Sequence, residues 1–436
     1  MHADQEYRDA LPDGPVHRRA AGLNPGNRFE STRLHVSGDA YDAQRQERLW
    51  EGEDPDDLPP RRVPLTVIPD ATRRIINRVD RTSDVPFDWT LSPYRGCEHG
   101  CIYCFARPYH EYLGYSCGLD FEIKLVAKHD APDLLRRELA RPGWRGEPIV
   151  MSATTDIYQP IEHRLELARD CLEVMAACGQ PVSTMTKGSL VLRDLDLWSE
   201  MSARGTGRVT VTLVTLDDKL AKTLEPRAAS PARRLCLIRE LADAGVDVSV
   251  NVAPVIPGLT DTEVPRILEA IADAGATRAA WVLLRLPYQL KELFLDWLER
   301  NLHPERAGKV EALIRETRGG LLYRSGKTQR RVDDDTSRMV ADREIRRRDD
   351  PLETETFADR AKRGKGASAT NGHDRRRGEG AHARQIAQAF DVYCRRYGLN
   401  RDVRGLTRDR FRPPQAAGQM ALFPVGQAGS GQHRAS

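Results

Sequence analysis

Residues 95–110, RGCEHGCIYCFARPYH, set Cys97, Cys101 and Cys104 in the spacing Cys-x3-Cys-x2-Cys, with Tyr103 directly before the third cysteine. Thiolates are soft ligands suited to zinc or to iron-sulfur clusters. A four-iron cube that only carries electrons takes four outer ligands, so three cysteines leave one iron open to a substrate or cofactor. A zinc knuckle would need a fourth ligand from Cys117, His99 or His110. Zinc ribbons, moreover, show two Cys-x2-Cys halves where this chain has one. Ligand count and spacing favour the cluster over zinc.

The elements that must position these thiols alternate in period. DWTLS (88–92), PIVMSATT (148–155), PVSTMTK (181–187), RVTVTLVTL (208–216), VDVSVNVAPVI (246–256) and RAAWVLLRL (278–286) read as strands. Between them, segments such as APDLLRREL, HRLELARDCLEVMAAC, PARRLCLIRELADAG and EVPRILEAIADAG read as amphipathic helices. Six strands, each followed by a helix, predict an α/β fold with a parallel sheet and right-handed crossovers. An open doubly wound sheet and a partial barrel both satisfy this pattern, and both put the chemistry at the carboxyl ends of the strands. The cysteines follow the first strand, at that end.

The spacing, with an aromatic before the third cysteine, resembles the signature of radical S-adenosylmethionine (radical SAM) enzymes. The resemblance implies a partial (β/α)6 barrel of radical SAM type. It also implies a 4Fe-4S cluster on Cys97, Cys101 and Cys104, S-adenosyl-L-methionine on the open iron, and Tyr103 against the adenine. Reductive cleavage of the sulfonium would then give a 5′-deoxyadenosyl radical that abstracts hydrogen, with the electron coming from a partner. After the second strand, Ser152, Thr154, Thr155 and Asp156 stand where the family holds the methionyl amino group. An ammonium there needs acceptors such as hydroxyls and a carboxylate, although the same residues also suit a helix N-cap. Lys187 and Ser189 follow the third strand at the place for ribose or carboxylate, and an exposed lysine is the alternative. After the fifth, Asn251 is a further contact, and Ile256-Pro257-Gly258-x-x-Asp261 is similar to the family's adenine-binding motif. Pro254 and Asp261 depart from that motif, standing in place of a glycine and a glutamate.

CIYCFARPYHEYLG, followed by GLDFEIKLVAK, resembles the spore photoproduct lyase-like branch. RAAGLNPGNRFE and ATRRIINRVDRTSDVPFDWTLSPYRGCEHGC resemble a bacterial subgroup of it, and the match runs over about residues 18–335. The subgroup implies no particular substrate. Cys117 lies too near the cluster cysteines in sequence to take the branch's hydrogen-returning role, and reads as a neutral thiol packed in its loop. His110, Tyr109 and Tyr112 either shape the pocket or anchor that loop.

The flanks differ in composition from this core. Residues 1–65 are polar and without periodicity and read as largely extended or disordered, with the core at 66–330. A charged extension and linker occupies 331–385, a short amphipathic helix 386–400 and a disordered tail 401–436. Of the eight cysteines, Cys171, Cys178 and Cys236 sit in helix-like patterns and read as small buried hydrophobes. There is no apolar run of membrane-spanning length and no apolar signal core, so a cytoplasmic, membrane-free protein is expected. The net charge of +3 conceals an asymmetry. Arg360 to Arg412 carries fifteen Lys or Arg against five Asp or Glu, a net of +10, so the remainder sums to −7. That stretch would either bind DNA or RNA phosphates or serve as a solubilising spacer. In the tail, QMALF resembles the short peptide by which DNA polymerases and repair enzymes grip the sliding clamp. Gln419 would make the polar contacts and Leu422 and Phe423 the apolar ones; otherwise the pentad packs back on its own domain.

Three functions are therefore open. The first is a radical SAM enzyme on damaged or modified nucleic acid; the second is such an enzyme on a peptide, metabolite or tRNA. A non-catalytic zinc-binding nucleic-acid adaptor is the third.

Overall fold

The computed structural model describes residue 16 and residues 18–29, 63–79, 85–323 and 376–414. The strands are β1 (Thr66–Pro69), β2 (Ile76–Arg78), β3 (Trp89–Leu91), β4 (Tyr94–Arg95), β5 (Lys124–Ala127), β6 (Ile149–Met151), β7 (Val182–Thr186), β8 (Gly207–Thr212), β9 (Val248–Val255) and β10 (Arg278–Leu283). β3, β6, β7, β8, β9 and β10 are the six expected strands, and they pair in parallel in chain order. β2 lies antiparallel to β3 at one edge and β10 forms the other, so the sheet is open. Sequential parallel order is what right-handed crossovers produce when each helix returns the chain to the next strand along.

Those crossovers are α1 (Ala131–Leu139), α2 (Leu167–Ala177), α3 (Leu195–Ala203), α4 (Asp218–Leu224), α5 (Pro231–Asp243) and α6 (Val264–Asp273). Their starts are written in the sequence. Asp217 accepts from the amides of Lys219 and Leu220 at 2.8 and 3.1 Å, and Ser230 accepts from Arg233 just ahead of Pro231. α6 places Val264, Ile267, Leu268 and Ile271 on one buried stripe, the spacing a helix needs to cover a sheet. On the sheet, Val182, Val209, Val211, Val248 and Val250 are buried in the core with these helices. The alternate positions Ser183, Met185, Thr210, Ser249 and Asn251 are half-buried on the other face. Cys171 and Cys178 belong to the core, whereas Cys236 lies exposed on α5, on the side of the helix away from the core.

A second sheet of order β1-β5-β4 was not expected from the pattern, because its strands are short and lie among polar residues. It frames the cysteines: residues 96–123 leave β4 and return into β5.

Beyond β10 come α7 (Leu290–Asn301), α8 (Pro304–Glu316) and α9 (Gly380–Arg396). The helix expected at 386–400 thus starts six residues earlier and ends four earlier. It buries Ala383, Ile386, Phe390 and Cys394. The tail expected to be disordered from 401 is packed as far as 414. Thr407 N donates to Gly205 O at 2.9 Å, Arg412 N to Cys178 O at 2.8 Å, and Phe411 is buried beside Gly146. These partners precede β8, β7 and β6, so the segment runs along the amino ends of the strands, opposite the cysteines. Backbone bonds, the side chains of Arg208 and Arg278 on the carbonyls of Arg404 and Asp402, and one aromatic hold it, and none of these leaves a periodic trace in sequence. Most of the expected linker 331–385, and Gln419, Leu422 and Phe423, lie outside the described residues.

Candidate functional site

Cys97, Cys101 and Cys104 sit on consecutive turns, with Gly100 N donating to Cys97 O at 3.3 Å and Cys104 N to Cys101 O at 3.2 Å. Cys97 and Cys101 are buried, Cys104 is half-buried, and all three are free thiols. Cys97 and Cys104 pack together with Ala106 and Phe121, while Cys101 and Cys104 share a second apolar cluster with Ile102 and Tyr103. Gly100 has φ +65°, and a Cβ there would stand 2.7 Å from Glu122 Oε2, so only glycine lets the turn approach so closely. Among the described residues no group of three His, Cys, Asp or Glu side chains is close-set enough to hold a single metal ion.

Three buried polar residues that the motif did not announce fix this loop. Arg107 is fully buried, and its guanidinium donates to the carbonyls of Gly100, Cys101, Cys117 and Gly118 and to Glu122 Oε1 at 2.6 Å. Glu122 Oε1 also accepts from Ala21 N at 3.1 Å, which ties the N-terminal segment to the loop. Gln159 accepts from Glu98 N at 2.8 Å and donates to Thr155 Oγ1 at 3.1 Å, while Thr155 Oγ1 donates to Gly96 O at 2.6 Å. An arginine three residues past the last cysteine was the only visible signal for any of these.

The turn after β6 faces the loop from the next strand. Asp156 meets His99 Nδ1 at 3.2 Å and accepts from Thr186 Oγ1, Lys187 N and Tyr158 N. Burial acts to raise its pKa, but His99 and these donors outweigh it and hold the carboxyl below the usual carboxylate range. Ser152, at φ +76°, hydrogen-bonds Thr184 Oγ1 at 2.8 Å, and Thr154 Oγ1 reaches Ser92 Oγ at 3.5 Å. The hydroxyls of Ser152 and Thr155 and the Asp156 carboxylate are thus engaged in joining the cysteine loop to the ends of β6 and β7. His99 is held by Asp156 through Nδ1, and His110 packs between Tyr115 and Phe121.

Tyr103 donates its hydroxyl to Glu225, which forms an ion pair with the buried Arg234. Lys187 Nζ lies 5.8 Å from the centre of the Tyr103 ring. Burial would lower the Lys187 pKa, but the acidic side chains of Cys101 and Glu225 beside it outweigh that and raise it, and Glu225 supplies the charge opposite the ammonium. Burial pushes the Cys101 thiol up to about 12, against the pull of Lys187, and raises Cys97 as well. Such thiols are inert as free nucleophiles, yet metal coordination deprotonates them outright. Cys117 is fully buried, its thiol pushed up to about 12 by burial, as expected of a packed neutral cysteine. On β9, Asn251 gives its Nδ2 to Met185 Sδ at 3.7 Å and leaves Oδ1 buried without a partner. Gly258, at φ +73°, turns the chain against Leu313 of α8, where a Cβ would be 2.7 Å from Cδ1. Asp261, at the glutamate position of the adenine-type motif, instead meets His382 of α9 at 2.7 Å.

Residues 91–271 match the family model described as the Radical SAM superfamily. An uncharacterized protein of Mycobacterium tuberculosis is 40% identical over 242 residues, covering 55% of this chain and 71% of the relative. An uncharacterized protein of Methanocaldococcus jannaschii is 30% identical over 175 residues, 40% of this chain and 63% of that one. The Radical SAM Nalpha-GlyT isomerase of Pseudomonas phage M6 is 23% identical over 230 residues, 52% of this chain and 46% of that one. A solved structure of spore photoproduct lyase with bound AdoMet and dinucleoside spore photoproduct superposes at TM-score 0.43 with 16% identity. It covers 63% of this chain and 74% of that one.

Proposed function

The chain belongs to the radical SAM superfamily, an enzyme superfamily, and from that premise we propose that Cys97, Cys101 and Cys104 hold a 4Fe-4S cluster whose fourth iron takes S-adenosyl-L-methionine. When bound and reduced by a one-electron donor, this pair would break the C5′–S bond of the sulfonium, releasing methionine and a 5′-deoxyadenosyl radical that takes a hydrogen atom from substrate. The observation that carries the reading is the Cys-x3-Cys-x2-Cys loop set at the carboxyl ends of six sequential parallel strands.

The residues present suit that group. Three unpaired thiols share one buried loop, and the Lys187 ammonium beside Cys101 offsets the negative charge that thiolates bring. Asn251 Oδ1, buried and unpartnered, is an acceptor for an amino group such as that of adenine. Tyr103, fixed by Glu225, offers its ring as an apolar wall. Arg107, Glu122 and Gln159 keep the loop from relaxing when the thiols are charged, and the shared apolar clusters shield Cys97 and Cys101 from water.

For substrate, the reading is a damaged or modified nucleic acid, in keeping with the spore photoproduct lyase-like resemblance of residues 101–128. It is supported by the basic excess of Arg360 to Arg396, ten Lys or Arg against three Asp or Glu, and by the clamp-like Gln419, Leu422 and Phe423. Anaerobic reconstitution tests the first step. A brown protein that releases 5′-deoxyadenosine from S-adenosyl-L-methionine under dithionite is expected, with Cys101→Ala abolishing both colour and product. A colourless zinc protein, or a fully loaded cluster without product, would overturn it.

A further inference from the structure

The strongly exposed large aromatics among the described residues gather beside the cysteine loop. Phe29, Tyr109, Tyr112 and Tyr288 are 43–54% exposed, as is Phe105, the residue after Cys104. Tyr112 lies 5.0 Å from Phe29 and 6.3 Å from Tyr109, with ring planes tilted by 34° and 36°, so the rings are neighbours without covering one another's faces. Arg28 sits among them, its guanidinium 3.7 Å from the Tyr288 ring, 4.7 Å from Phe29 and 5.8 Å from Tyr112.

The group is built rather than incidental. Asn27 Nδ2 donates to Glu111 O at 2.7 Å, Arg28 pairs with Glu111 Oε2 at 2.9 Å, and Gln289 Nε2 donates to Gly26 O at 3.3 Å. Three distant segments are thereby joined at one place. Tyr109 and Tyr112 lie on the 3-10 stretch Arg107–Leu113, whose first residue holds the carbonyls of Gly100 and Cys101. Tyr288 follows the carboxyl end of β10. The aromatics therefore border the site at its own end of the sheet. Leaving so much aromatic surface in water is unfavourable without a partner. Tilted rings interleaved with a guanidinium are what unpaired bases stack upon, irrespective of sequence.

We propose that Phe29, Tyr109, Tyr112 and Tyr288, with Arg28, form a stacking platform for the unpaired bases of single-stranded nucleic acid. The platform delivers one nucleotide to the cysteine loop while its neighbours rest on the rings. This deepens the nucleic-acid reading of the same site and rests on it.

The test is fluorescence anisotropy of the full chain with fluorescein-labelled 12-mer oligothymidylate, oligouridylate and a duplex of equal length, from 50 to 300 mM salt. Wild type is expected to bind the single strands in preference to the duplex, and the DNA and RNA arms separate the two sources. The double variant Tyr109→Ser/Tyr112→Ser should weaken single-strand binding about 10- to 100-fold at every salt concentration, leaving the slope against log salt unchanged. Tyr109→Phe/Tyr112→Phe should retain binding, which guards against a folding defect. Single-strand affinity unchanged in the serine variant, or none in wild type, overturns the platform. The same preparations are assayed for 5′-deoxyadenosine. Its absence from wild type that binds single strands through these tyrosines would sink the enzymatic reading and leave the platform standing.

Discussion

Arg107 brings one buried cation to four carbonyls and one carboxylate, so its removal leaves Glu122 charged, buried and short of its partner. Breaking a buried pair from one side costs about 3 to 5 kcal/mol. Arg107→Met should therefore lower the unfolding free energy read from urea titration by that amount and leave the purified protein unable to retain iron; Arg107→Lys, lacking the planar fork, should recover little. Lys128 is a second buried cation, on a segment away from the cysteines. Burial and Arg95 press its pKa from 10.5 down to about 8, while Asp70, Glu138 and Cys171 act to raise it. Because the folded value lies below the ordinary one, the unfolded chain binds more protons at this lysine between these limits, and the contribution of Lys128 to stability rises as pH climbs from about 8 to 10.5. The gain is roughly 3 kcal/mol. Urea titrations at pH 7 and pH 10 should show it as a rise in wild-type stability relative to Lys128→Met. The cysteines and Tyr103 could be singled out because the Cys-x3-Cys-x2-Cys spacing is itself a sequence pattern. Arg107, Gln159 and Glu225 were not, because a buried polar group is defined by partners up to 122 residues away that only the fold supplies.

Among the elements, the six strands were legible because each carries a β-branched run bounded by turns and followed by a helical stripe. β1, β4 and β5 were not, since two to four residues give no period to read. The consequence is functional, because the excursion between β4 and β5 carries all three cysteines, and Cys97 N is pinned to Phe121 O at 3.0 Å where the loop closes. α9 was legible as an amphipathic helix, but its destination was not. Phe390 packs 6.0 Å from Trp281 of β10, and His382 reaches Asp261 in the turn after β9. α9 thus braces the last two strands of the sheet, including the one that carries Asn251. Phe390→Ala should cost about 3 to 5 kcal/mol through the cavity it leaves. A urea midpoint within experimental error of wild type would show that α9 does not brace the sheet.

At the scale of the whole molecule, the two ends of the sheet carry different work. The carboxyl end holds the cysteine loop and the aromatic surface. The amino end is crossed by residues 401–412, where Arg208 Nη2 donates to Arg404 O at 2.5 Å, Arg410 O lies against Gly179, and Phe411 is buried. Five of the fifteen cations in the basic stretch, Arg401, Arg404, Arg408, Arg410 and Arg412, therefore belong to a strap at the end remote from the site. They cannot hold a substrate at the cysteine loop, and any phosphates they meet lie on the opposite side of the molecule. Two shortened chains separate packing from partner binding. A chain ending at Asn400 loses the strap and the burial of Phe411, and should melt well below the full-length protein, by an amount equivalent to about 3 to 5 kcal/mol. A chain ending at Pro414 keeps the strap and should match the full-length protein in melting temperature and in 5′-deoxyadenosine release. It should lose retention on immobilised sliding clamp, because Gln419, Leu422 and Phe423 are gone. Undiminished clamp retention by the chain ending at Pro414 would place the clamp contact elsewhere, and a normal melting temperature for the shorter chain would remove the strap from the forces that hold the sheet.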